Sequence, residues 1–216
     1  MTTALNDIVN DAEVILQDTG NDRWDAADLA GWGSLGELAI VIRKPDAFVK
    51  NEAFILVAGT RQSIAGLVVV DIVRNMGTSG TTVGNIITKV EKEVMDAIDP
   101  TWHTATASAT VKHWMNDRRD PKKFWVHPPQ PTSSFGYVDA IWSAAPDTIG
   151  VGENLNLDDI YREIILDYIL FRAFSIDAAI APHAKERSVA HGQFFLNALG
   201  SKETIEELYS KENLGA

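Results

Sequence analysis

The chain has 216 residues, 45% of them hydrophobic, and a formal net charge of -11. That is enough apolar material for a real core, as one compact domain or as a bundle with an appended subdomain. The mean hydropathy of -0.06 and the lack of any unbroken apolar run near ~18 residues exclude a membrane span. No cysteine is present, so disulfides and thiolate metal sites are excluded, and synthesis in a reducing cytosol fits. The N-terminal residues carry neither a basic stretch nor an apolar one, so no secretory signal is expected. Non-specific nucleic-acid binding needs a basic footprint, and the acidic total argues against one. A conduit through which DNA slides is better lined with negative charge, because adhesion would stall it.

Leu5, Ile8, Val9, Ala12, Ile15 and Leu16 recur at three- and four-residue steps, which predicts a helix stopped by Thr19-Gly20. A second helix opens at Asp25, whose side chain caps it, and runs through Leu29, Trp32, Leu35, Ala39 and Ile42 to Pro45. Gly31, Gly33 and Gly36 inside it each cost about 1 kcal/mol against alanine. They predict close approach to another helix, in this chain or in a neighbouring subunit. The apolar run 53–57 is too short to assign, and residues 67–75 read as either strand or helix. Ile87, Val90, Val94 and Ile98 predict a short amphipathic helix before Pro100.

Beyond Trp102 the pattern alternates with period two. Val111 and His113, then a charged turn over 117–121, then Phe124 to His127, predict a hairpin. Pro128, Pro129 and Pro131 should end its second strand or place it at an edge. Residues 137–143 predict a third strand, with Val138, Ala140 and Trp142 on one face. Four of the six tryptophans fall in this β region, which reads as wide, exposed aromatic faces. After a loop at 150–156, Leu157, Ile160, Ile164, Tyr168 and Phe171 stripe a long helix. Pro182 interrupts any continuation, so the segment from Asp177 onward is expected as a separate or kinked helix ending at Leu199-Gly200, and Ser201 caps a last charged helix with a loose tail.

Catalytic and metal-binding residues are not found, and no cofactor is expected. His113 and His127 can face each other near His103, but a third convergent ligand is missing. Asp159, Glu163 and Asp167 share a helical face that reads as solvated, and Arg172 and Asp177 as a structural pair. The loops at Gly77-Thr78-Ser79-Gly80 and Ser133-Ser134-Phe135-Gly136 lack the residues of a phosphate loop or a nucleophile elbow.

A set of short motifs carries a resemblance. Asn21-Asp22-Arg23-Trp24 followed by a capped helix ending Ile40-Val41-Ile42-Arg43-Lys44-Pro45-Asp46-Ala47, then Val73-Arg74-Asn75, Asp99-Pro100-Thr101-Trp102, Phe124-Trp125-Val126-His127-Pro128-Pro129 and Asp167-Tyr168-Ile169-Leu170-Phe171-Arg172-Ala173-Phe174, spread over nearly the whole chain, resemble tailed-phage head-to-tail adaptors of the podovirus type. The resemblance implies a structural virion protein of the neck, made in the host cytoplasm, and not an enzyme. It implies a homo-oligomeric ring, a dodecamer, between a portal protein and a tail nozzle protein, with DNA passing through unbound. The alternatives are another neck or tail ring protein, a tail terminator or head completion protein, and a small soluble hydrolase.

The fold expected is α+β and mainly α: an antiparallel helical bundle (1–100 and 150–200), an inserted antiparallel β subdomain (101–149) and an extended C-terminal segment (201–216). Ile205, Leu208 and Tyr209 are the expected contacts to the portal or a neighbouring subunit. Arg118, Arg119, Lys122, Lys123 and Trp125 are those expected to meet the nozzle. Gly33-Ser34-Leu35-Gly36 departs from the polar helix surface that the family leads one to expect there.

Overall fold

A computed structural model describes residues 4–117, 119–179 and 181–212, without the side chains at 182 and 201–212. The chain divides into two compact units, one from 1–47 with 146–216 and the other from Phe48–Ala145.

The first unit is helical. Helix α1 (Leu5–Leu16) buries Leu5, Ile8, Val9 and Ala12. It ends earlier than Thr19-Gly20: Gln17 adopts the left-handed conformation (φ 60°) and its N–H closes the last turn. The Asp18 carboxylate then accepts the N–H groups of Trp24, Arg23 and Asp22. Those bonds, the one from Trp24 foremost, hold it below the ordinary carboxylate range. Helix α2 (Ala26–Arg43) starts as expected, with Asp25 accepting from the Ala27 N–H at 3.0 Å.

Two of the three glycines of α2 find their partners inside the chain, while Gly31 faces open space. A Cβ on Gly33 would stand 2.7 Å from Leu5 Cδ1, and one on Gly36 would stand 3.2 Å from the Tyr168 ring. Helix α4 (Arg162–Asp177), preceded by a 3-10 turn that Asp158 caps, supplies Tyr168 and buries Ile165, Ile169 and Ala173 completely. Ile160, expected on that buried stripe, is instead 62% exposed. Helix α5 (Pro182–Glu212) packs on α4 through Phe171 against Gly192, Tyr168 against Phe195, and Ser175 against Ser188. Pro182 opens it, as proline can at a first helical turn. The helix runs on through Gly200 and Ser201 without a break, so residues 201–212 are helical and not an extended segment.

The second unit is built on two sheets. In the first, β1 (Val49–Ile55) and β3 (Val68–Asn75) flank β7 (Tyr137–Ser143), both antiparallel to it. In the second, the order is β2 (Gly59–Ser63), β6 (Lys123–Gln130), β5 (His113–Asn116) and β4 (Thr88–Lys89). The β-branched run 68–73, ambiguous by pattern, is a strand. Between the sheets lie Leu56, Ile72, Trp114, Phe124, Val126, Val138 and Ala140, with Phe54 and Trp142 packed alongside. A second cluster gathers Met95, Trp102 and Met115 beneath the short helix α3 (Lys92–Ile98). At the base of the unit, the Ala144 N–H donates to Phe48 O at 3.1 Å, so the strands that begin and end it share one rung.

These sheets overturn the expectation of a mainly α protein. The described residues form five helices and seven strands, about 41% helix and 23% strand, which is an α+β fold. Four of the strands lie within residues 1–100, where a helical bundle is expected, and the β unit begins at Phe48 instead of 101. The helix expected over 87–98 shrinks to α3. Ile87 joins the sheet core, while Val94 and Ile98 are exposed. The prolines do not stop β6 either: they lie past the end of β5 and beside a register shift in β2, where no ladder N–H is required.

Three buried carboxamides join the loops to this unit. The Asn75 side chain donates to Val111 O (2.8 Å) and Asn85 O (3.1 Å) and accepts the Val111 N–H (2.7 Å). Gln62 takes the Val57 N–H and returns a bond to Val57 O. Gln130 bridges Ser108 O and the Gly136 N–H. Each satisfies backbone groups that leave the ladders while still buried.

Candidate interaction site

The hairpin tip joins charge to an aromatic face. A concavity of about 350 Å³ is lined by Glu91, Lys92, Glu93, Asn116, Asp117, Arg119 and Trp125. Trp125 projects from β6 and is half-buried, with Lys92 Nζ over its ring at 5.6 Å. The same ammonium bonds Asp96 at 2.5 Å, and Asp96 also accepts the Trp102 Nε1–H at 2.8 Å. Lys92 first, then Trp102, keeps the Asp96 carboxyl below its usual range.

Of the residues expected to face a nozzle, the structure brings Arg119 and Trp125 to this concavity. Lys122 is exposed on the turn outside it, and Lys123 is paired with Asp120. Arg118 lies outside the described residues. The exposed aromatic faces expected here are absent: Trp102 and Trp114 are fully buried, and Trp125 and Trp142 pack against the two cores. Alternation told which residues share a face but not that both sheets would turn their tryptophans inward.

The helical unit has a second recess, of about 440 Å³ and mostly apolar, where Tyr168, Phe171, Val189, Phe195 and Leu196 meet Ala39 and Arg43. Ile205, Leu208 and Tyr209, the expected portal contacts, lie on the last turns of α5, and their side chains fall outside the described residues.

The histidines are brought together without a ligand set. His113 and His127 stack across the β5–β6 ladder with ring centroids 6.1 Å apart. His103 stacks on Trp102 at 3.7 Å and bonds Thr60 through Nδ1. Burial, and after it the neighbouring His113, pushes the His127 imidazole down from its ordinary value. Among the described residues no group of three or more His, Asp or Glu is placed to hold a metal ion, and no helix is long and apolar enough to cross a membrane. Asp167, read as solvated, bonds His191 Nδ1 at 2.8 Å, and Asp177 pairs with Arg23 instead of Arg172.

Sequence reasoning missed Glu37. It is completely buried on α2, and its carboxylate takes the backbone N–H groups of Asn156 (2.7 Å) and Leu157 (3.0 Å) and the Asn156 side-chain amide (2.7 Å). The signal was present: Glu37 lies on the same stripe as Gly33, Ile40 and Val41, where an ionisable side chain needs dedicated partners.

A charged aromatic recess thus lies on one unit and a mostly apolar one on the other. The chain belongs to the SU10 adaptor protein family, whose model matches residues 3–213. No curated protein matches the chain. It is therefore a structural adaptor of a bacteriophage virion, located in the neck and associated with other head-tail proteins, and it is not an enzyme.

Proposed function

We propose that the chain is a head-to-tail adaptor of the podovirus type, similar to tubular tail protein A, that forms a dodecameric ring joining the portal to the tail nozzle. The observation that carries this reading is the family match, which spans both units. A net charge of -11 per subunit supports a channel wall that repels the DNA backbone and lets it slide. On this reading the end of α5, with Ile205, Leu208 and Tyr209, grips the portal or an adjacent subunit. The hairpin tip, with Arg118, Arg119, Lys122, Lys123 and Trp125, meets the nozzle.

The test is reconstitution on purified portal rings, followed by imaging and by addition of nozzle protein. The full chain should form a ring on the portal. Truncation after Gly200 should abolish that ring, and deletion of 117–121 should keep it but lose the nozzle. A chain that binds only the far end of a tail tube is a terminator, and overturns the proposal.

A further inference from the structure

Most sheet edges in the second unit are blunted, as edges must be if they are not to recruit other strands. The outer side of β3 is covered by residues 84–87: the Asn75 N–H bonds Asn85 O, and the Ile87 N–H bonds Val73 O. Strand β2 carries a register shift, and β4 is two residues long. Strand β1 has none of these devices. It pairs with β7 in unbroken register over all seven of its residues, contains no proline, and has no neighbour on its other side among the described residues.

The ladder shows which groups are open. The Leu56 N–H bonds Gly136 O, and the Ala144 N–H bonds Phe48 O, so the even-numbered residues of β1 bond toward β7. The N–H and C=O groups of Val49, Asn51, Ala53 and Ile55 therefore point outward. All four residues are exposed, Val49 to 45% and Ile55 to 46%.

We infer that this edge recognises a second copy of itself, two β1 strands pairing antiparallel about a two-fold axis through Asn51. The side chains select both the occupant and the register. Only outward-bonding residues can meet outward-bonding residues, so the strands can slip only in steps of two. With Asn51 opposite Asn51, Lys50 of each copy faces Glu52 of the other, and Phe48 faces Phe54. Lys50 and Glu52 then occupy the non-hydrogen-bonded positions, where side chains lie closest. Neither has an ion-pair partner among the described residues. Shifting the register one way sets Glu52 against Glu52, and shifting it the other way sets Lys50 against Lys50. The central arrangement alone joins opposite charges twice, places two aromatic pairs, and makes about six ladder bonds. It joins two three-stranded sheets into one of six strands. Such a pair is isologous and closed, so it is a form of the chain outside any cyclic assembly, and its test needs no phage component.

The experiment is sedimentation and native mass measurement of the full chain over a concentration series. A concentration-dependent dimer is expected, and a chain that stays monomeric overturns the inference. Glu52→Lys should weaken the dimer about tenfold, because two attractive pairs become repulsive. The double exchange Lys50→Glu with Glu52→Lys should restore it. Asn51→Pro removes an outward N–H without touching the β7 ladder and should abolish the dimer. A dimer indifferent to these changes uses another surface and overturns the proposal.

Because the chain has no cysteine, single cysteines report the register cleanly. Asn51→Cys should oxidise to a covalent dimer, its two Cα atoms lying about 5.5 Å apart. Ala53→Cys should not, because its two copies lie about 13 Å apart along the strands. Equal oxidation at both positions overturns the register.

Discussion

Glu37 and Asn156 meet through two bonds of 2.7 Å, the carboxylate taking both the backbone and the side-chain N–H of the asparagine. With the further bond from the Leu157 N–H, one buried side chain on α2 fixes the segment that leads into α4. Glu37→Ala leaves three donors facing an apolar wall. We expect it to destabilise the helical unit by about 2–4 kcal/mol, with Glu37→Gln less damaging because one carbonyl oxygen still accepts. Chemical denaturation followed by helical circular dichroism measures both.

Two glycines separate conformational cost from steric need. A Cβ on Gly31 meets nothing within 4 Å, whereas one on Gly136 would lie 2.0 Å from the carbonyl oxygen of Ala109. Gly31→Ala should stabilise the protein by about 0.5–1 kcal/mol. Gly136→Ala should cost about 2–4 kcal/mol, because rigid backbone has to move. Thermal melts of the two variants should shift in opposite directions.

Asn75 stands in for a ladder that the backbone does not complete. Asn75→Ala removes its three bonds to Val111 and Asn85 and should cost about 2–3 kcal/mol. Asn75→Asp should be no better, since it turns a carboxylate oxygen toward two carbonyl oxygens. Tryptophan fluorescence during urea unfolding reports on this unit, where Trp114 is fully buried.

Acid should loosen the β unit through His127. Its folded value lies below the ordinary 6.5, chiefly because of burial, while the unfolded chain takes up its proton near 6.5. The stability that neutral His127 contributes is complete above that value and is lost as pH falls through it toward the lowered folded value. The urea midpoint at about pH 5.5 should lie below that at about pH 7.5, and His127→Phe should reduce the difference. A midpoint difference unchanged by that substitution would assign the acid sensitivity to other groups.

The helices α1, α2 and α4 were legible because their buried residues recur at helical spacing, and the start of α2 also because Asp25 sits where a cap belongs. The β5–β6 turn was legible from its charged residues between alternating strands. Strand β1 was not, because an edge strand shows water the polar run Lys50-Asn51-Glu52, which breaks the apolar pattern. Strand β3 carries β-branched residues on both faces, so period alone could not separate it from a helix. Gly200 read as a stop, yet a glycine ends a helix only when the backbone turns left-handed there, and α5 continues. Of the candidate site, the charges at the hairpin tip could be read from sequence. The inward turn of the tryptophans depends on how two sheets face each other, which no local pattern encodes.

The bond between Ala144 and Phe48 makes the β unit a cassette. Its two ends are already held on one rung, so a host fold interrupted at that point has only a narrow gap to bridge, and the loop-closure entropy of the 98-residue insertion (145 - 48 + 1) is met by the cassette's own ladder. Replacing it with a short linker, or exchanging it for another unit whose first and last strands are paired neighbours, leaves the same narrow gap to bridge. A gene carrying this layout can change what the inserted part touches without redesigning what carries it.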